Sequence, residues 1–342
     1  MITNGTIDVF NEGRGVKAPA ADIDGNIIVV TGRAMKVAAV HDEEWLEHEV
    51  RNPDACIERL KTRDAHRLKA DVFTFAQRLP ATTPRYDYPI EWDSIAAVRL
   101  NGYNNWWDSL PQETRKNVRR AAKRGVVVEV RPLDDALVQG IVEINNESPI
   151  RQGRHFAHFG ESFDEVKKDF GAFSERCEIF CAHVGDELVG VLKVMYRGEL
   201  ASILKLQSKS SHYDKRPSNA LIAAAVEQCD KKGISFITYG KYRYGNQEKT
   251  SLMTFKSHNG FDEVLVPRFH VPLTTTGRLG IALGLHRGIT GVAPKSAVAF
   301  VRSVRAQWHR LATFRRCSLT TKQPNSYRQM ERSIPPAGST SE

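Results

Sequence analysis

The chain has 342 residues, too many for one ordinary hydrophobic core and enough for two small domains with a tail. With 41% hydrophobic and 26% charged residues and no uninterrupted apolar run of about twenty, it excludes a membrane-spanning helix. The net charge of +9 is local: from Arg268 onward 12 Lys and Arg stand against 2 Glu, and the preceding residues carry 37 basic and 38 acidic side chains. The body is therefore close to neutral, and no specific DNA binding is expected of it. Five cysteines without paired spacing (Cys56, Cys177, Cys181, Cys229, Cys317) point to reduced thiols. Cys177 and Cys181 bracket an apolar run, which argues against a zinc pair, so no metal is expected. Met1 to Asn11 has no basic start followed by an apolar stretch, and the expected location is the cytoplasm.

In chain order, the first hundred residues read as β-rich, with strands at Ile27 to Thr31, Ala70 to Leu79 and Ser94 to Leu100. One helix is expected at Asp54 to Lys61, and a proline-bearing loop at Thr82 to Tyr88. From Leu110 the punctuation sharpens. Pro111 to Arg124 is a basic helix stopped by Gly125, and Val126 to Val130 is a β-branched strand. Asp134 and Asp135 cap a helix running through Asn146, and Glu161 to Phe173 is a second helix with Phe163, Val166, Phe170 and Phe173 on one stripe. Strands at Ile179 to Val184, Leu188 to Tyr196 and Ala201 to Gln207 follow, then an alanine-rich helix from Ser218 to Lys232 that ends at Gly233. A strand (Ile234 to Tyr239), a short helix (Thr250 to His258) and a strand (Phe261 to Val266) complete the set.

The order from Val126 is β-α-α-β-β-β-α-β-α-β, which is the connectivity of the GNAT fold, an α+β class with a mixed sheet. The expected organisation is a small β-rich half over 1–103, a GNAT-like domain over 104–273, a basic helical extension over 274–317 and a disordered tail over 318–342. In the extension, Ala297, Phe300, Val301, Val304, Trp308 and Leu311 mark one helix face, beside Arg302, Arg305 and Arg310. Such a helix either packs on the domain or rests, over 297–316, on the inner face of an anionic membrane as a peripheral contact.

The junction Gln207 to Ala220, QSKSSHYDKRPSNA, carries the strongest chemical signal. A strand end, a basic loop and a helix start combine exposed N–H groups and the positive end of a helix dipole with Lys209, Lys215 and Arg216. Gln207, Lys209, Lys215, Arg216, Ser218 and Asn219 thus form a candidate anion site; a capped helix with a solvated basic loop is the plainer account. The loop Ile150 to Gly160 gathers Arg151, Gln152, Arg154, His155 and His158. The arginines there suit a carboxylate or phosphate, and either histidine suits a base near neutral pH. Tyr239, Lys241 and Tyr242 end a strand, where a tyrosine can protonate a leaving group or simply pack at the rim.

The segments RKNVRRAAKRGVVVEV (from Arg115), DELVGVLKVMY (from Asp186), YGKYRY (from Tyr239) and LMTFKSHNGF (from Leu252) resemble the GNAT-like domain of Fem-type peptidyl transferases and polysaccharide-locus acyltransferases. More closely, SPIRQGRHFAHFG, HYDKRPSNALIAAAVEQC and YGKYRYGN are similar to a bacterial group within that superfamily. The resemblance implies transfer of an acyl group from acyl coenzyme A or aminoacyl-tRNA to an amine acceptor, such as a cell-envelope, polysaccharide or secondary-metabolite precursor. It also implies that the first hundred residues are a shrunken GNAT-like half. In GNAT enzymes the anion junction holds the coenzyme A pyrophosphate on Gln or Arg, two residues, Gly, one residue, then Gly or Ala; from Arg216, this chain has Asn219 and Leu221 at the two small positions. The resemblance places Phe255 and Lys256 at the phenylalanine–lysine pair, where the lysine stabilises charge near the reacting end; an exposed helix lysine is the alternative. Two other readings stand beside transfer. One is an inactive GNAT-like module that binds an anionic glycan precursor or a partner near the membrane. The other is RNA binding through the basic helix at Arg115 to Arg124.

Overall fold

The computed structural model describes residues 5–11, 14–33, 35–46, 48–62, 68–151, 154–243 and 250–285. The chain divides into two units, Met1–His286 and Arg287–Glu342. The amphipathic helix expected over 297–316 and the tail over 318–342 lie outside the described residues.

The first half contains β1 (Gly5–Asn11), β2 (Arg14–Ile23), β3 (Asn26–Thr31), β4 (Val37–Val40), α1 (Pro53–Lys61), β5 (Val72–Ala76) and β6 (Ile90–Arg99). Two helices follow, α2 (Tyr103–Ser109) and α3 (Gln112–Lys123). The second half then runs β7 (Val126–Arg131), α4 (Asp135–Asn146), a small hairpin of β8 (Ile150–Arg151) and β9 (Arg154–His155), and α5 (Phe163–Gly171). It continues through β10 (Cys177–Val184), β11 (Glu187–Arg197), β12 (Leu200–Ser208), α6 (Pro217–Lys231), β13 (Phe236–Lys241), α7 (Ser251–His258) and β14 (Asp262–Pro272), and α8 (Thr275–Ala282) packs on β14. From β7 onward the expected order of strands and helices is present, with the β8–β9 hairpin added.

Among the described residues, all strands but that hairpin join one sheet of 12, in the order β1-β2-β3-β4-β5-β14-β6-β13-β12-β11-β10-β7. The order reads the same from both ends. Each half has an antiparallel meander, then a helix that leads to a parallel neighbour: α1 joins β4 to β5, and α6 joins β12 to β13. The sixth position of each half is filled from the other half. β14 pairs with β5, β6 pairs with β13, and β6 and β14 pair with each other from Asp262↔Ala97 to Phe269↔Ile90. The boundary expected after residue 103 therefore follows a strand already paired into the second half.

Local chemistry explains the well-read elements. Asp134 caps α4 through the Leu137 N–H (2.7 Å), and Ser162 and Glu165 close a reciprocal capping box on α5. Phe173 lies past the end of α5 at φ 56, so the expected phenylalanine stripe stops at Phe170. β11 is buried almost throughout because α6 covers one face of the sheet and α4 with α5 the other. Strands β1, β2 and β4 escape a reading by periodicity. The buried residues of β2, on its two faces, are largely Ala18, Ala20 and Ala21, which have low strand propensity and leave no alternating apolar signature.

Gly260 closes α7 at φ 81, and an added Cβ would lie 2.7 Å from Trp106 Nε1, the atom that donates to Asn259 O (3.2 Å). Gly260→Ala combines left-handed strain with a clash in the core. It is expected to cost about 2 kcal/mol or more, read as a lower urea midpoint with unchanged m-value.

Candidate functional site

The site begins where two strands stop pairing. β12 and β13 are parallel neighbours only at Leu200↔Phe236, Ala201↔Ile237 and Ser202↔Thr238, yet β12 runs on to Ser208 and β13 to Lys241. β13 also slips against β6 between Thr238 and Lys241, at Gly240 (φ 56). The sheet therefore opens beyond Ser202.

Lys256, from α7, supports this opening. Its side chain is buried, with Nζ donating to Tyr239 O (2.5 Å) and Lys241 O (2.7 Å) and lying 4.5 Å from the centre of the Tyr239 ring. Two carbonyls at an irregular strand end are thus satisfied by a side-chain cation instead of a neighbouring strand. Burial pushes the ammonium down to about 8. Lys256 is therefore not a solvated helix lysine. Tyr239 packs edge-on against Phe261 (5.8 Å), and Phe255 lies against the core beneath α6. Lys241 is exposed, and Tyr242 is half-buried with its N–H on Ser94 O (2.8 Å).

At the same end of β12, a 3-10 turn (Ser210–Lys215) leads into α6, with Arg216 at the capping position in the left-handed region (φ 61) and Pro217 opening the helix. Ser218 Oγ meets Ser208 Oγ at 2.9 Å, and Asn219 donates to Asn259 Oδ1 (3.1 Å). Lys209 pairs with Glu187 (2.8 Å), Lys215 is half-buried, and Arg216 is exposed. Gln207 is buried, and its Oε1 has no hydrogen-bond partner among the described residues. The loop already holds one internal anion, Glu147. Its carboxylate accepts from the Ser210 N–H, the Ser211 N–H (2.8 Å) and Ser211 Oγ (2.6 Å). Burial alone would raise the Glu147 carboxyl, but the Ser211 and Ser210 hydrogen bonds outweigh it and hold the group below the ordinary glutamate value.

The second wall is the segment after α4. Arg151 Nη1 donates to Ser208 O (3.1 Å) and Nη2 to Ile144 O, with the guanidinium 3.8 Å from the Phe156 ring, so it ties the end of α4 to the end of β12. Among the described residues, Arg151 Nε and Asn145 Oδ1 are buried without partners. Gln207 Oε1, on the same strand as the Ser208 carbonyl that Arg151 holds, is a third such atom among the described residues. Buried polar groups of this kind usually mark a place where water or a ligand completes the bonding. His155 is exposed; Gln152 and the side chain of Arg154 lie outside the described residues.

His158 is held differently. Its Nδ1 meets Glu161 Oε1 at 2.7 Å, and Glu161 Oε2 accepts from Asn145 Nδ2 (3.2 Å). A carboxylate on Nδ1 orients the ring and directs Nε2 to act as the basic nitrogen. Glu161 was not singled out in the sequence, where it reads as the first residue of a helix. The signal was the His158-to-Glu161 spacing of three across a turn. Among the described residues, no group of three or more His, Cys, Asp or Glu is placed to hold a metal ion, and no helix is long and apolar enough to cross a membrane.

Comparison with known proteins adds the following. Residues 110–250 match the family model described as acetyltransferase (GNAT) domain. No curated protein matches the chain. Among solved structures it is similar to FemX (12% identity, 82% of this chain and 90% of that chain, TM-score 0.49) and to L-PGS from Bacillus licheniformis (15%, 79% and 86%, 0.49). It is also similar to a tandem GNAT protein from the clavulanic acid biosynthesis pathway (12%, 80% and 84%, 0.40).

Proposed function

Since the chain carries an acetyltransferase (GNAT) domain over residues 110–250, we propose that it is an N-acyltransferase or aminoacyltransferase. It moves an acyl group from acyl coenzyme A or aminoacyl-tRNA to an amine on a cell-envelope, polysaccharide or secondary-metabolite precursor. One observation carries this reading: β12 and β13 separate after three paired residues, at the end of the sheet where α6 begins. An anionic carrier held at the start of α6 can pass its acyl group into that gap.

In the reaction, the amine nitrogen attacks the acyl carbonyl and a C–N bond forms. The C–S bond of a thioester or the C–O bond of an aminoacyl ester breaks. His158 Nε2 takes the amine proton, with Glu161 as its positioning residue, and the leaving sulfur or oxygen recovers a proton from Tyr239 or water. Gln207, Lys209, Lys215, Arg216, Ser218 and Asn219 hold the carrier, Arg151, Lys241, Tyr242 and Phe255 border the substrate, and His155 is a second base. Lys256 keeps the gap open by holding the end of β13.

A second reading, a non-catalytic module that binds an anionic glycan precursor, is favoured by Asn219 at the small-residue position and by Glu147 on the loop N–H groups. The deciding experiment follows radiolabel from acetyl coenzyme A, longer acyl coenzyme A and aminoacyl-tRNA into a panel of amines. Label in an amine product supports transfer and identifies the donor; binding of an anionic glycan without transfer from any donor supports the module.

A further inference from the structure

The loop that opens α6 is met by a carboxylate from another helix. Glu147 closes the C-terminal end of α4 and is half-buried. Three donors converge on it: the Ser210 N–H, the Ser211 N–H (2.8 Å) and Ser211 Oγ (2.6 Å). Among the described residues no cationic side chain forms an ion pair with it; the loop's Lys209 (2.8 Å) and His212 (3.4 Å) approach Glu187 instead. Two adjacent backbone N–H groups and a hydroxyl aimed at one point are a donor set that suits phosphate oxygens. Lys215 and Arg216 follow in the same loop and form no ion pair among the described residues, so positive charge remains beside N–H groups that are already filled.

Glu147 also belongs to a helix end that reaches the base. Ile144 O accepts from Arg151, which bonds Ser208 O (3.1 Å) at the end of β12. Asn145 Nδ2 donates to Glu161 (3.2 Å), the residue on His158 Nδ1 (2.7 Å). The last turn of α4 is therefore fastened to the carrier loop through Glu147 and Arg151, and to His158 through Asn145 and Glu161.

We propose that Glu147 is an internal stand-in for the carrier's phosphate, a latch that fills the loop's N–H groups until the donor's anion displaces it and frees the last turn of α4. This rests on reading the start of α6 as the carrier's seat. Displacement replaces a carboxylate that bonds only neutral donors with a phosphate that also meets Lys215 and Arg216, so the exchange favours a multiply charged anion. A donor without a phosphate leaves the latch shut. The apparent affinity for a phosphate is then the intrinsic one scaled by the fraction of molecules in which Glu147 is already released. Release at Glu147 reaches His158 through Asn145 and Glu161, so the base responds to the donor's arrival.

The test titrates the full chain with inorganic pyrophosphate by calorimetry, against sodium chloride of matched ionic strength. Glu147→Gln keeps the shape and removes the anion, and it should bind pyrophosphate about tenfold tighter than the parent. Glu143→Gln is the control. It removes an exposed carboxylate from the same helix, 4.0 Å from Lys209, without touching the loop N–H groups. Its affinity should stay within about twofold of the parent's, because an exposed charge is screened. Adding Arg216→Gln to Glu147→Gln should abolish the gain, which locates it at the start of α6. The proposal is overturned if Glu147→Gln binds pyrophosphate no tighter than the parent, if Glu143→Gln gains as much, or if the gain survives Arg216→Gln. Should Glu147→Gln fail to fold, Glu147→Asp, whose carboxylate falls one methylene short of the N–H groups, is held to the same three outcomes. Tighter pyrophosphate binding by Glu147→Gln with no acyl transfer from any donor would leave the latch standing and remove the transferase reading. Transfer by the parent with no gain in Glu147→Gln would do the reverse.

Discussion

His158→Ala is expected to lower transfer by about 100- to 10,000-fold while leaving the melting temperature within about 1 °C of the parent, because the ring is a quarter exposed and supports no core. The measurement is kcat with the donor and amine found by label transfer. Added imidazole should restore part of the rate, since the missing group is a base and not a scaffold. Glu161→Gln should lose less, because the amide still reaches Nδ1 and keeps the ring oriented. Full activity in His158→Ala would remove His158 from the mechanism and leave water as the base.

Lys256→Met should act mainly on stability. The methionine fills the volume but strands Tyr239 O and Lys241 O, and unpaired buried carbonyls cost about 1–3 kcal/mol each, partly offset by relief of the buried ammonium. A net loss of about 3 kcal/mol corresponds to a drop on the order of 6–12 °C in melting temperature. The pH dependence has a definite sign. Burial lowers the folded-state value to about 8 against 10.5 for the ordinary group, so between these values the unfolded chain holds more protons. The Lys256-linked stability is therefore fully present above about 10.5, and it is lost as pH falls through about 8. Urea unfolding at pH 7, 8 and 9 should show the gap between parent and Lys256→Met widening upward. An unchanged melting temperature with abolished transfer would put the Lys256 charge on the substrate instead.

Much of the second half could be read along the chain because its signals are local. Asp134, Ser162, Gly233 and the Asn259-Gly260 pair mark helix ends through hydrogen bonds and backbone angles that span only a few residues. The Gln207-to-Asn219 junction was equally visible, since a strand end, a basic loop and a proline at the first helical turn are adjacent in sequence. Glu161 escaped because its partners, His158 and Asn145, meet it only when the segment after α4 folds back. Glu147 escaped for a stronger form of the same reason: α5 and the strands β10 to β12 separate it in sequence from Ser210 and Ser211, whose N–H groups it meets.

By itself, then, the sequence determined the kind and order of the elements from Val126 onward, because helix caps and periodicity are written in near neighbours. Only the tertiary structure decided that β6 and β14 exchange places at the centre of one continuous sheet, that Lys256 is buried on two carbonyls, and that Glu147 occupies the loop before α6. These outcomes depend on pairings between distant segments, such as Ser94 with Glu263, where burial and partner choice are properties of the assembled sheet and leave no periodic trace in either segment.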